Sequence, residues 1–128
     1  MSVLRGMVFS GCGDYAQWIT KYQEYYRAKT GLTLFPGTLN LRLPRPYELP
    51  PAKVLRLEGH EYGSRVSVSI LPVRIFGRPG VILRPDLPPW ATATDADERL
   101  STIEVATDIT LRETYGLQDG DEVEVTVL

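Results

Sequence analysis

A small β-barrel, closed or nearly closed, is the fold class this sequence predicts, and three observations lead to it. Short apolar stretches alternate with polar residues at the two-residue period of strands, prolines and glycines punctuate them, and only one stretch carries the period of a long helix. Many short strands with about one long helix pack most simply as a sheet closed on itself. At 128 residues the chain has the usual size of one domain, and a chain of that size buries about two-thirds of the surface its unfolded form exposes. One domain over residues 1–128 is the expectation.

Taken in order, Val3 to Phe9 suits a strand, and Ser10, Gly11, Cys12, Gly13 and Asp14 end it in a turn. Asp14 with Gln17 fits a capping box, and Tyr15, Trp18, Ile19, Tyr22, Tyr25 and Tyr26 follow at three- and four-residue spacing, which predicts one main N-terminal helix. Gly31 after Lys29 is its expected C-terminal stop. Pro36 and Gly37 suit the centre of a type II turn, and Leu39, Leu41 and Leu43 then alternate with Asn40 and Arg42 as a strand.

After the prolines at 44, 46, 50 and 51, Val54 to Glu58 alternates again. The run from Val66 to Phe76 reads as a strand in which Pro72 requires an edge or a bulge. Gly77 to Gly80 reads as a hairpin turn into Val81, Ile82 and Leu83. Pro85 to Leu100 has no period and reads as a long loop, in which Trp90 is a candidate lid residue. Ile103 to Val105 is expected as a strand, Ile109 to Tyr115 as a short C-terminal helix, and Glu122 to Leu128 as a closing strand after the Asp119–Asp121 turn.

Composition narrows the function classes. No apolar run approaches the roughly 18 to 20 residues of a membrane helix, the first residues lack the layout of a signal peptide, and Cys12 is the single cysteine. A cytoplasmic protein without a membrane partner is the expectation. Net charge is −2 with both signs mixed, so nucleic acid is not an expected partner, and arginines on strands and turns read as solvated faces. His60 has no second histidine or cysteine at a metal spacing and reads as an exposed loop residue. The aromatic residues of the first helix read as core.

Two places carry possible chemistry. Thr38 and Asn40 are two apart, so their oxygens leave one face of the predicted strand; this is either a polar strand face or a pair of hard ligands for magnesium, whose remaining ligands are waters and phosphates. Gly11 and Gly13 lie between a strand and a helix, either as a plain turn or as a place where main-chain N–H groups approach a phosphate.

Gly6, Val8, Ser10, Gly11 and Gly13, then Pro36 to Asn40 with Leu41 and Leu43, then Ile103 to Ala106 with Leu111 and Arg112, then Leu117, Asp119, Gly120, Asp121 and Val123 occur in an order that resembles the archaeal CTP-dependent riboflavin kinases. The resemblance covers both ends of the chain, and Pro36 to Asn40 is its most specific part. It implies a cradle-loop barrel that moves the terminal phosphoryl group of CTP to the ribityl 5′-hydroxyl of riboflavin, giving FMN and CDP with Mg2+. By resemblance Thr38 and Asn40 are metal ligands, and Ser10, Gly11, Cys12 and Gly13 belong to the nucleotide loop. Ile109, Thr110, Leu111 and Arg112 make a second nucleotide contact. Glu104 contacts the flavin and is the candidate catalytic residue, orienting the acceptor hydroxyl. Thr94, with Thr92 nearby, is the candidate for the family's flavin-contacting threonine.

The chain departs from the family pattern in two places. Tyr15 stands where the family's loop ends in glycine, and Asp108 stands at a usual proline, adding negative charge near the expected nucleotide. Two other readings therefore accompany the kinase: a flavin- or nucleotide-binding barrel without transfer, and a DNA-binding barrel, against which the acidic C-terminus and the absence of a basic stripe count.

Overall fold

Alternation along each strand separates an inner from an outer face. The computed structural model describes residues 2–11, 15–87 and 89–128. Strands β1 (Ser2–Phe9), β2 (Leu39–Arg42), β3 (Leu55–Leu57), β4 (Val68–Ile75), β5 (Arg78–Pro85), β6 (Thr102–Ala106) and β7 (Glu122–Val127) form one sheet in the order β3-β4-β5-β6-β2-β1-β7. All its pairings are antiparallel. A further pairing, from Val73 opposite Val127 to Ile75 opposite Val125, joins β4 to β7, so six strands close the barrel and β3 lies outside the ring. The mostly-β closed barrel expected from the sequence is what the chain forms.

Successive strand side chains point to opposite faces. Val8, Leu41, Val73, Ile82, Val105 and Val125, one from each barrel strand, share the interior in a single buried cluster. The neighbouring residues Ile70, Val81, Leu83 and Ala106 point outward, and helices α1 (Tyr15–Lys21) and α2 (Gln23–Thr30), with Tyr22 between them, cover them with Tyr15, Ile19, Tyr22 and Tyr26. The barrel thus has a second apolar layer on its outside.

The expected single N-terminal helix is divided, with Tyr22 (φ −115°, ψ 26°) separating α1 from α2. Main-chain bonds continue across the break: the Tyr22 N–H donates to the Trp18 carbonyl at 3.0 Å and the Tyr26 N–H to the Tyr22 carbonyl at 3.2 Å. The side-chain period is preserved, which is why it does not betray the break. Gly31 ends α2 at φ 75°, as predicted. Asp14, half of the expected capping box, lies outside the described residues.

Several local expectations change. Gly37 is not at positive φ; its N–H donates to the Phe35 carbonyl at 2.8 Å, closing a three-residue turn about Pro36 instead of a type II turn. The β4–β5 hairpin turns at Phe76 (φ 52°) and Gly77 (φ 72°), both left-handed as a two-residue turn of the primed kind requires, and not over Gly77 to Gly80. The Phe76 ring is stacked on Tyr115 at 4.0 Å, contact that holds a bulky residue in this conformation. Pro72 sits inside β4, yet at the gap between the β3 pairing at residues 68–70 and the β7 pairing at 73–75, so neither neighbour there needs its missing N–H.

The expected loop from Pro85 to Leu100 contains helix α3 (Ala93–Ser101). Its start is a reciprocal box, in which the Asp95 N–H donates to Thr92 Oγ1 at 3.1 Å and the Thr92 N–H donates to the Asp95 carboxylate at 2.9 Å. The short C-terminal helix is present as α4 (Leu111–Thr114). Arg84, grouped by sequence with solvated charge, is only 5% exposed. It donates to the Tyr47 carbonyl at 2.6 Å and the Thr102 carbonyl at 3.1 Å, and burial, with Arg99 nearby, pulls its pKa down to about 10. Among the described residues no helix is long and apolar enough to cross a membrane.

Candidate functional site

Leu39 and Leu41 fill the barrel, so Asn40 between them must leave through the outer face. By the same alternation Glu104, between Ile103 and Val105 of β6, leaves on that face, and the β2–β6 register sets Asn40 directly opposite Glu104. Thr38, just before β2, donates its hydroxyl to Glu104 Oε1 at 3.1 Å. Three oxygen-bearing side chains, two of them bonded across 66 residues of sequence, thus lie together on one face.

A polar cavity of about 260 Å³ opens there, lined by Thr38, Asn40, Ser10, Gly11, Tyr15 and Arg112 among others. Gly11 lies against the Asn40 amide so closely that a Cβ would sit 2.6 Å from its Nδ2 and 2.8 Å from its Cγ. Any larger residue here would displace the Asn40 amide. A second cavity of similar size adjoins the first, lined by Gly37, Thr38, Thr110, Leu111 and Arg112. The segments expected to contact a nucleotide, Ser10–Gly11 and Thr110–Arg112, therefore converge beside Thr38. Ile109 instead packs against the barrel interior, and Cys12 and Gly13 lie outside the described residues.

A third, mainly apolar cavity of about 350 Å³ lies under the helices, lined by the aromatic rings of Tyr15, Trp18, Tyr22, Tyr26 and Tyr62. Its charged lining residues are Glu104 and Asp86. Tyr15, 9% exposed, lines this cavity and the polar one, so the two meet at Tyr15 and at the Thr38–Glu104 bond. Burial, reinforced by Tyr26 and by the Glu104 charge, holds the Tyr15 phenol well above its usual pKa, so it stays neutral. The sequence reads those of the first helix, Tyr15, Trp18, Tyr22 and Tyr26, as core. Most are buried, yet the rings also form a cavity wall, a property the helical period does not distinguish from packing.

The remaining candidates fall as follows. Thr94 lies exposed on α3 and Trp90 is 83% exposed, and neither lines these cavities. His60 is exposed in a 3₁₀ turn. Asp108 is paired with Arg78 at 3.0 Å, which holds its carboxyl below the usual range and offsets the negative charge expected near a nucleotide.

Asp119, part of the C-terminal turn and of the residues that carry the resemblance, reaches back to this site. It pairs with Arg112 at 2.7 Å and accepts a bond from the Ser10 hydroxyl at 3.0 Å. Arg112 and then Ser10 hold the Asp119 carboxyl below its usual value. A depressed carboxyl stabilises the fold above its unfolded pKa, about 3.9 for aspartate, and that contribution is lost as pH falls through the folded value. Urea titrations should show stability falling as pH drops below about 4, with a shallower fall in Asp119→Asn.

Comparison with known proteins places the chain in a family. The family model CTP-dep_RFKase, described as a domain of unknown function, DUF120, matches residues 8–127. The chain is 35% identical to a riboflavin kinase of Methanocella arvoryzae, covering 98% of this chain and 56% of the relative. It is 31% identical to one of Archaeoglobus fulgidus, over 98% of this chain and 54% of the relative. The chain thus spans little more than half the length of these two. It is 34% identical to the riboflavin kinase of Aeropyrum pernix, covering 98% of this chain and 96% of that one. A closed barrel with Thr38, Asn40 and Glu104 gathered at the meeting of a polar and an aromatic cavity, in a chain matched over nearly its whole length, belongs to the CTP-dependent riboflavin kinase domain family.

Proposed function

We propose that this chain transfers the terminal phosphoryl group of CTP to the ribityl 5′-hydroxyl of riboflavin, giving FMN and CDP. The observation that carries the reading is that the two cavities share Tyr15 and are joined by the bond from Thr38, in the polar one, to Glu104, in the aromatic one. One cavity has the flat aromatic walls that suit an isoalloxazine ring, and the other has the hydroxyl, amide and guanidinium groups that suit phosphates. The acceptor hydroxyl would then sit at Glu104 while the donor phosphates lie between Ser10–Gly11 and Arg112.

In the transfer the ribityl oxygen bonds to the terminal phosphorus, the bond from that phosphorus to the CDP oxygen breaks, and the hydroxyl proton is released. Phosphoryl transfer depends mainly on aligning these two oxygens and neutralising charge. Glu104 orients the acceptor hydroxyl, and its bond from Thr38 fixes the carboxylate for that role. Arg112, tethered to Asp119, supplies positive charge in a set orientation. The hydroxyl of Thr38 and the amide oxygen of Asn40 are hard neutral donors that fit Mg2+, an ion that takes few protein ligands and completes its shell with phosphates and water. When bound, Mg2+ would offset the charge of the phosphates.

A second reading, a flavin- or nucleotide-binding barrel without transfer, draws on Tyr15, whose buried ring occupies a glycine position of the family loop. One assay separates the two. Purified protein is incubated with riboflavin, Mg2+ and each of CTP, ATP, GTP and UTP, and FMN is resolved from riboflavin. FMN is expected with CTP above the other donors; absence of FMN with every donor would leave the binding reading.

A further inference from the structure

The aromatic cavity has two carboxylates in its lining, and only Glu104 is used by the proposed transfer. Asp86 is the other. Glu104 stands opposite Leu83 across the β5–β6 pairing, and Asp86 follows Leu83 by three positions, so the two acids are separated by about 10 Å along β5 at the rise of a strand. With the ribityl hydroxyl at Glu104, the far end of a bound flavin falls toward Asp86.

Asp86 is held with unusual care for a residue just past a strand end. Arg56 grips both of its oxygens, Nη1 to Oδ1 at 2.8 Å and Nη2 to Oδ2 at 2.9 Å. Its own N–H donates to the Ser67 carbonyl at 2.9 Å. Arg56 is fixed in turn by Glu58 at 3.1 Å and by Ser69 at 2.9 Å. Each carboxylate oxygen keeps a second acceptor site after a bidentate pairing. A pinned acceptor beside aromatic walls selects a flat ring with an N–H on its edge. Isoalloxazine has one such edge, the imide N3–H of its pyrimidine ring, whereas its dimethylbenzene edge offers no donor. The pairing with Arg56 offsets the charge of Asp86, so the carboxylate accepts from N3–H without strongly repelling the ring carbonyls on either side.

We propose that Asp86, pinned by Arg56, is a specificity-determining residue that accepts a hydrogen bond from the imide N–H of the flavin ring and sets which edge of the ring enters the cavity. The inference rests on the flavin reading above. It is tested by binding, without turnover, through the quenching of flavin fluorescence as protein is added to riboflavin or to N3-methylriboflavin. A hydrogen bond to a charged acceptor corresponds to about ten-fold or more in affinity, so wild-type protein should bind N3-methylriboflavin at least about ten-fold more weakly than riboflavin. Asp86→Ala leaves Arg56 its Glu58 partner and should lower riboflavin affinity while binding the two flavins within about two-fold of each other. Equal affinity of the wild type for the two flavins would overturn this inference alone, by a comparison that needs no variant. Binding of neither flavin would overturn it together with the function on which it rests.

Discussion

Asn40→Ala is expected to lower the rate of FMN formation by about 100-fold or more, the usual scale for removing a group that stabilises charge in a transition state, while leaving the melting temperature nearly unchanged. The side chain leaves the outer face of β2 into the polar cavity, so its loss removes no barrel packing. Thr38→Ala should behave alike, since its hydroxyl both lines that cavity and fixes Glu104. Gly11→Ala approaches the same amide from the other side: its Cβ would lie 2.6 Å from Asn40 Nδ2, so the amide must move and turnover should fall although no cavity-lining functional group has been deleted. Steady-state assays with varied Mg2+ and CTP, paired with thermal melts, check all three. Normal turnover with a large loss of stability would return Thr38 and Asn40 to a purely structural role.

Leu41→Ala, one residue along the same strand, should do the opposite. Leu41 is fully buried in the barrel interior. Truncating a buried leucine costs about 2–5 kcal/mol because a cavity is left as well as lost burial, a large share of the roughly 5–15 kcal/mol that holds a domain folded. A clear drop in the urea midpoint is expected, and the activity of the protein that remains folded should stay within a few-fold of wild type. The contrast between neighbours follows from a single property of strands, the alternation of side chains between two faces. A similar stability loss in Asn40→Ala would mean that both faces of β2 serve packing.

That alternation was also the most legible feature of the sequence. Leu39 and Leu41 with Asn40 between them announced a strand with one apolar and one polar face, and both faces are where the period put them. Gly31 announced the end of the helix because the left-handed conformation there suits glycine. The break at Tyr22 was not legible, since hydrogen bonds and side-chain period run through it. Helix α3 was missed although Thr92 and Asp95 stood at the spacing of a capping box; a helix with no buried residue has no apolar period to read. Arg84 was misplaced because a charged residue near a strand end is normally solvated, and only the Tyr47 and Thr102 carbonyls, brought to it from distant segments, make burial tolerable.

Local order in the chain determined the strands, the N-terminal helical region, the closing of many short strands into a barrel, and the pairing of Thr38 with Asn40 on one face, because each depends on residues a few positions apart. The tertiary structure alone decided what those residues meet. It brought Glu104 opposite Asn40, gathered the tyrosines into a cavity wall shared through Tyr15, tied Arg112 to Asp119 and Arg78 to Asp108, and clamped Asp86 with Arg56. Contacts of this kind depend on strand register and on how the helices fold back over the barrel, which no short window of sequence contains.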